Sequence, residues 1–412
     1  MVKKGYKQTE IGVIPEDWEI KYLSDFGKIQ SGGTPSTTMA EYWGGNIAWC
    51  TPSDITSTPT KYINATERTI TDAGLKNSAA TVMPAGSILL CTRATIGELK
   101  INSIPMATNQ GFKNITINNS GNAEFLYYLL QTKKNCMLDL AIGSTFLEIS
   151  KTALIKIPLQ IPMHDEQSKI ADALSDIDNL VVVLEKQIAK KKTIKQGAMQ
   201  ELLTGKKRLP GFSGDWIKSN IGSCIIEKPS YGINAPAVDF NGFLPRYIRI
   251  TDISKDGRYC KDAQASVSAE NVEPFLLKTN DIVLARTGAS VGKSYIYDEH
   301  DGRLVYAGFL IKMSIDPQKA DSRFIFGVLH TYDYWKWVAQ TSMRSGQPGI
   351  NGEEYASYEF RMPSDLKEQK AIADILTNMD NEIVTLGKKL IKYRQVKQGI
   401  MQQLLTGKIR IT

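Results

Sequence analysis

The chain is written twice, and this constrains its fold more than any other feature. Gln196–Leu209 reads QGAMQELLTGKKRL, and Gln398–Ile411, 202 positions further on, reads QGIMQQLLTGKIRI. At the same offset Glu166–Asp178 (EQSKIADALSDID) matches Glu368–Asp380 (EQKAIADILTNMD). A repeat of this kind fixes the number of structural units before any element is assigned. Fainter echoes lie upstream. Trp49–Ile55 (WCTPSDI) is like Tyr247–Ile253 (YIRITDI), and Trp18 matches Trp216. Arg93–Gly97 (RATIG) aligns with Arg286–Gly292 (RTGASVG), two residues longer, and Gly111-Phe112 with Gly308-Phe309. Each copy thus has a diverged front part that tolerates insertions and a nearly constant rear part.

The constant part predicts a long helix. Apolar residues fall at Ile170, Leu174, Ile177, Val181, Leu184 and Ile188, and again at Ile372, Leu376, Met379, Ile383, Leu386 and Leu390. Alternating steps of four and three are the seam of a coiled coil. Each run follows a proline (Pro162, Pro363) and ends in Thr-Gly (Thr204-Gly205, Thr406-Gly407), where glycine can take the left-handed conformation that stops a helix. A helix from about 166 to 203 is roughly 55–60 Å long at 1.5 Å per residue. Each helix could pack on its own domain. Two matched seams are better explained by antiparallel pairing, which relates the halves by a pseudo-two-fold axis and makes the pair a spacer.

The variable parts, 1–163 and 207–363, read as mixed α/β (α+β) domains, with short strands such as Ser87–Cys91, Asn114–Ile117, Arg246–Ile250, Asp281–Ala285 and Leu310–Ile315. The expected fold is therefore two similar globular domains joined by two long antiparallel coiled-coil helices. The loops are rich in groups that pair with base edges and phosphates. The candidates are Thr34, Ser36, Thr37, Arg93, Asn109, Gln110, Arg246, Arg286, Thr287, Lys293, Arg344 and Gln347. Arg93 and Arg286 take matching places after a strand in this alignment. Either could reach phosphate or guanine, or hold a turn through backbone carbonyls; recurrence in both halves favours the turn.

Enzyme chemistry finds little support. Gly288–Ser294 (GASVGKS) has three residues where a phosphate-binding P-loop needs four before GK. Glu98-Leu99-Lys100 fits the short ExK of nucleases, but no Pro-Asp precedes it suitably. No DPPY/NPPY-type tetrapeptide marks a base-methylating site, and three histidines assemble no convincing Ser/His/Asp arrangement. Five scattered cysteines without CxxC suggest reduced thiols and a cytoplasmic protein, and no metal site is expected. No apolar run approaches the ~18 residues of a membrane helix, and the first ten residues lack the apolar stretch of a secretory signal. The net charge of +7 permits nucleic acid as a partner without requiring it.

The alternation of diverged domain and constant helix resembles the specificity (S) subunits of Type I restriction–modification systems. Gln8–Glu19 (QTEIGVIPEDWE), Gly32–Ser36 (GGTPS), Tyr42–Gly45, Trp49–Ile55, Pro162 with Glu166-Gln167, and the paired QxLLTG ends are similar to that family's wording. The second half departs from it, opening with Leu209–Trp216 (LPGFSGDW) and showing no GGTPS equivalent. The resemblance implies a non-catalytic reader of double-stranded DNA. Target recognition domains at 1–163 and 207–363 would each read half of a bipartite site. Spacer helices at 164–206 and 364–412 would set the half-site spacing and dock two modification (M) subunits, and restriction (R) subunits would join them. S-adenosylmethionine, ATP and Mg would belong to those partners, and this chain would carry no cofactor. The competing expectation is a coiled-coil scaffold without sequence-specific DNA contact.

Overall fold

The computed structural model describes residues 2–118, 121–143, 147–343 and 347–411. The chain divides into two compact units, one made of Met1–Lys186 with Lys388–Thr412, the other of Gln187–Gly387. The two longest elements are α-helices, His164–Leu202 and Leu366–Leu404, of 39 residues each. At 1.5 Å per residue each is about 58 Å long. Gly205 (φ +71°) and Gly407 (φ +69°) supply the left-handed turns that follow them.

In the first unit, Gly27–Ser31, Phe112–Ile117, Ile88–Cys91 and Leu99–Asn102 form an antiparallel sheet, with Tyr62–Ile63 added parallel at its edge. A second sheet holds Met106–Thr108, Trp43–Cys50 and Arg68–Ile70, its first pair parallel. The apolar run Ile88–Cys91 lies between two cores. Ile88 and Leu90 join the main core with the helix Ala123–Thr132, while Leu89 and Cys91 face Ala48, Cys50 and Met106. A strand buried on both faces requires such an uninterrupted run.

The second unit has the same plan. Ser230–Tyr231, Leu310–Ser314, Asp281–Ala285 and Ser294–Ile296 form the antiparallel sheet. Ala237–Asp239, Ala265–Val267, Arg246–Ile248 and Leu304–Tyr306 form the other, its last pair parallel. Ile282 and Leu284 face one core, Val283 and Ala285 another. Each unit also has a two-stranded ribbon leading to a long helix: Glu19–Tyr22 with Pro158–Ile161, and Trp216–Asn220 with Glu359–Pro363.

Both expected uses of the helices occur in each unit. In the first, Ile170 and Leu174 are buried among Phe125, Leu129 and other core residues of the globular part. The end of the other helix, with Leu404 and Leu405 buried and Ile400 and Met401 packed beside them, closes the same core. In the second, Ile372 and Leu376 meet Leu202 and Leu203 in the same way. Leu184 is buried, and the remaining seam residues Ile177, Val181, Ile188, Met379, Ile383, Leu386 and Leu390 are half-buried.

Ion pairs show the helix segments running antiparallel. In the first unit Asp178 pairs with Lys397 and Glu185 with Arg394, each at 2.6 Å. In the second, Asp380 pairs with Lys195 and Glu382 with Lys191, again at 2.6 Å. Asp178–Lys397 and Asp380–Lys195 occupy the same positions of the repeat.

Beyond each helix the tail forms an ionic clasp. Arg410 bonds Glu166 at 2.6 and 2.7 Å and Asp17 at 2.8 Å, and the indole N–H of Trp18 donates to Glu166 at 3.1 Å. Arg208 forks onto Glu368 at 2.6 and 2.7 Å. The glycines permit the approach. A Cβ on Gly407 would lie 2.4 Å from the Pro15 ring, and one on Gly205 would lie 3.0 Å from the Trp216 indole.

Candidate nucleic-acid interface

In the first unit, polar loops converge where the two sheets meet. Gly32 packs so closely on Thr108 and Asn109 that a Cβ would stand 2.1 Å from the Asn109 carbonyl oxygen. Only glycine fits there. The Gly33 N–H donates to the Thr108 carbonyl at 2.9 Å, and the Trp49 indole donates to the Gly33 carbonyl at 2.9 Å. The Trp43 indole donates to the Ser36 carbonyl at 3.1 Å, and the Arg68 guanidinium lies 3.7 Å from the centroid of the Trp43 ring. Two tryptophans and a stacked arginine thus fix the backbone of the GGTPS loop.

The anchored loop presents hydroxyls. Thr34 donates to the Gln110 side-chain carbonyl, Ser36 and Thr38 hydroxyls are 2.8 Å apart, and Thr37 is exposed. Asn109 accepts from the Gly111 N–H at 2.9 Å, which shapes the turn carrying Gln110. The structure therefore brings together Thr34, Ser36, Thr37, Asn109 and Gln110. Arg93 is close by, its Cβ 3.6 Å from a Cβ built on Gly111. Its guanidinium meets Glu148 at 2.5 Å, and Lys113 reaches the same carboxylate at 3.6 Å. Burial alone would raise the Glu148 carboxyl, but the hydrogen bond and charge of Arg93, with Lys113, bring it below its ordinary range.

The second unit has a counterpart to GGTPS that no sequence match reveals. Tyr231 ends the edge strand that corresponds to Gly27–Ser31, and Gly232 follows it as Gly32 follows Ser31. A Cβ on Gly232 would stand 2.3 Å from the Tyr306 and Ala307 carbonyl oxygens. The Ile233 N–H donates to Tyr306 at 3.0 Å, as Gly33 does to Thr108. The Tyr247 hydroxyl donates to the Ile233 carbonyl at 2.9 Å, as Trp49 does to Gly33. Backbone geometry and an aromatic donor are kept while the side chains differ.

Strand register corrects two of the internal matches. Cys91 lies opposite Phe112, and Ala285 lies opposite Leu310. Thr92 N–H donates to the Gly111 carbonyl, and Arg286 N–H donates to Phe309. Arg286 therefore stands at the place of Thr92, not of Arg93, and Phe309 at the place of Gly111, not of Phe112. Arg93 corresponds to Thr287, and their bridges to Glu148 and Gly349 correspond in turn. A one-residue slip exchanges the faces of a strand. Hence Phe112 is fully buried while Phe309 is 60% exposed. The recurrence that favoured a turn-holding arginine in both halves disappears.

The other candidates of the second unit disperse. Arg286 lies over the Tyr231 ring, and Gln347 is exposed beside Gly288, a neighbour of Thr287. Lys293 turns inward to the Ile253 carbonyl at 3.2 Å. Arg246 donates to the Asp301 carbonyl and lies 5.5 Å from the Phe240 ring centroid, among different neighbours. Arg344 lies outside the described residues. The Gly288–Ser294 loop cannot cradle a phosphate as a P-loop does, because the N–H groups of Gly288, Val291, Gly292 and Lys293 already bond backbone carbonyls. Among the described residues, no group of three His, Cys, Asp or Glu could hold a metal ion, and no helix is long and apolar enough to cross a membrane.

Comparison with known proteins accords with the doubled plan. A family model described as the Type I restriction modification DNA specificity domain matches residues 15–196 and again residues 215–393. The chain is 42% identical over 184 residues to the MjaIX specificity subunit of Methanocaldococcus jannaschii, covering 44% of this chain and 43% of that protein. It is 24% identical over 432 residues to the MjaVIII specificity subunit of the same organism, covering 99% and 97%. Among solved structures, the S subunit of a Type I system from M. genitalium aligns over 94% of this chain and 96% of its own, with a TM-score of 0.60 and 14% identity. A chain from work on assembly and conformational transition of the type I R-M system aligns over 96% and 99%, with a TM-score of 0.59 and 14% identity. At that identity the two likenesses speak to the fold alone.

Proposed function

The chain belongs to the Type I restriction–modification DNA specificity family, and from that membership we propose how its parts divide the work of reading DNA. It is a non-catalytic specificity subunit. Residues 1–163 and 207–363 are its recognition domains, each addressing one half of a bipartite site in double-stranded DNA. Residues 164–206 and 364–412 set the spacing between half-sites and dock two modification subunits, with restriction subunits joining the larger complex. S-adenosylmethionine, ATP and Mg belong to those partners, and the assembly works in the cytoplasm.

One observation carries the reading. The same backbone turn, anchored by Trp49 in one unit and Tyr247 in the other, holds different side chains. A shared scaffold with divergent polar loops suits two readers of different sequences. Arg246, Arg286 and Arg344 supply cationic groups for phosphates or base edges, and Arg93 and Lys293 do so on leaving the Glu148 carboxylate and the Ile253 carbonyl; Thr34, Ser36, Thr37, Asn109, Gln110, Thr287 and Gln347 supply neutral donors and acceptors. The complex reconstituted with its modification subunits should bind one split sequence far better than random duplex, with affinity falling steeply as salt rises. Equal affinity for every duplex would leave only the scaffold role.

A further inference from the structure

Strand register puts three large side chains of the second unit where the first has small ones. Tyr231 stands at the position of Ser31, Arg286 at that of Thr92, and Phe309 at that of Gly111. The three share a face. Tyr231 pairs with Ile311, two residues beyond Phe309, and Ile311 pairs with Leu284, two residues before Arg286.

The trio is held from behind. The Tyr231 hydroxyl accepts from the Gly352 N–H at 3.1 Å. The Arg286 N–H donates to Phe309 at 3.0 Å, and its carbonyl accepts from Ile350 at 2.9 Å. The Arg286 guanidinium lies 4.9 Å from the Tyr231 ring centroid. Tyr231 is 42% and Phe309 60% exposed. Among the described residues Arg286 has no carboxylate partner, whereas Arg93 of the first unit is paired with Glu148. At the matching place in the first unit, Thr92 is buried and its hydroxyl is taken by the Gly111 carbonyl at 3.1 Å.

We propose that Tyr231, Arg286 and Phe309 form a site in the second unit for a bidentate acceptor on duplex DNA, and that the first unit has no such site. An arginine resting on an aromatic ring keeps its planar fork oriented, which favours two parallel N–H bonds over a diffuse charge contact. The acceptor pair is O6 and N7 of a guanine or two oxygens of one phosphate. Phe309 supplies an apolar edge beside it. This assignment rests on the DNA-reading function proposed above.

The test uses the full chain reconstituted with its modification subunits and carrying Arg286→Lys, Arg286→Ala or Tyr231→Leu. Competition binding is measured on the target duplex, and on duplexes changed at each base pair in turn, at several salt concentrations. Both Arg286 variants should weaken target binding by roughly ten-fold or more, with Tyr231→Leu intermediate. If the acceptor is guanine, preference is lost at one base pair. If it is a phosphate, all duplexes weaken alike and the salt slope falls by about one in the alanine variant. Should Arg286→Ala fail to assemble, Arg286→Lys, which keeps the backbone bonds and the charge, decides alone. Affinity within two-fold of the parent and unchanged preferences at every base pair overturn the site. A parent complex that prefers no sequence overturns the reading function itself, a distinguishable result.

Discussion

Asp17 and Arg410 are separated by 393 positions, yet the guanidinium forks onto the carboxylate through two hydrogen bonds of 2.8 Å. The Arg410 hydrogen bond holds the Asp17 carboxyl below its ordinary value, against a smaller upward push from burial. A lowered folded pKa gives stability that is full above the unfolded value of about 3.9 and is lost as pH falls through the folded one. Asp17→Asn should therefore melt below the parent at neutral pH, and the gap should close at pH values below both pKa values. Thermal melts from pH 7 to pH 2 check this; a gap unchanged in acid would contradict it. Residue-level similarity between the repeats misplaces one position. Aligning Arg93 with Arg286 assigns two extra residues to the second copy, whereas the strands allow one. That single residue moves a side chain from one face to the other. Composition carries no signal for this; only the ladder of hydrogen bonds does.

Helices were far more legible than loops. A seam repeated at matched steps, closed by Thr-Gly, predicted two long helices, because helical periodicity is local and needs no knowledge of partners. Their partners were only half visible. Ile170, Leu174, Ile372 and Leu376 serve the globular cores as well as the opposite helix. Charge tests the pairing more cleanly than core residues do. Asp178 and Lys397 are about one-fifth exposed, and their ion pair recurs as Asp380–Lys195. Asp178→Lys alone places like charges together, removes the carboxylate that accepts from the Tyr128 hydroxyl at 2.7 Å, and should lower stability by about 1–2 kcal/mol, whereas adding Lys397→Asp should restore the part due to charge. Denaturant unfolding of the four species measures the coupling, and additive effects would contradict the observed contact. The counterpart of GGTPS stayed hidden because Tyr231–Pro236 keeps only one glycine of that motif, and backbone fit there requires just that one.

For the molecule as a whole, the doubling gave the plan of two α/β units and two helices, while the exchange of helix ends between repeats came only from the structure. Each unit is completed by the rear of the other repeat. A fragment of residues 1–210 contains Leu202, Leu203, Gly205 and Arg208, the equivalents of the residues that close the first unit. Two copies can complete each other, so the fragment should be a dimer by sedimentation. A fragment of 1–187 lacks those residues and should be poorly folded. A stable, monomeric 1–210 fragment would show that the first unit needs no such closure.

The same exchange sets an order of events during translation. Gln160 donates to the Leu405 carbonyl across 245 positions, and Tyr6 donates to Gly407 across 401. The core around Trp18 and Leu174 is thus synthesised long before the residues that seal it, while everything in Gln187–Gly387 is made in between. On the ribosome the earlier unit must wait open while the later one closes, and the nascent chain carries an exposed apolar cleft for most of its synthesis.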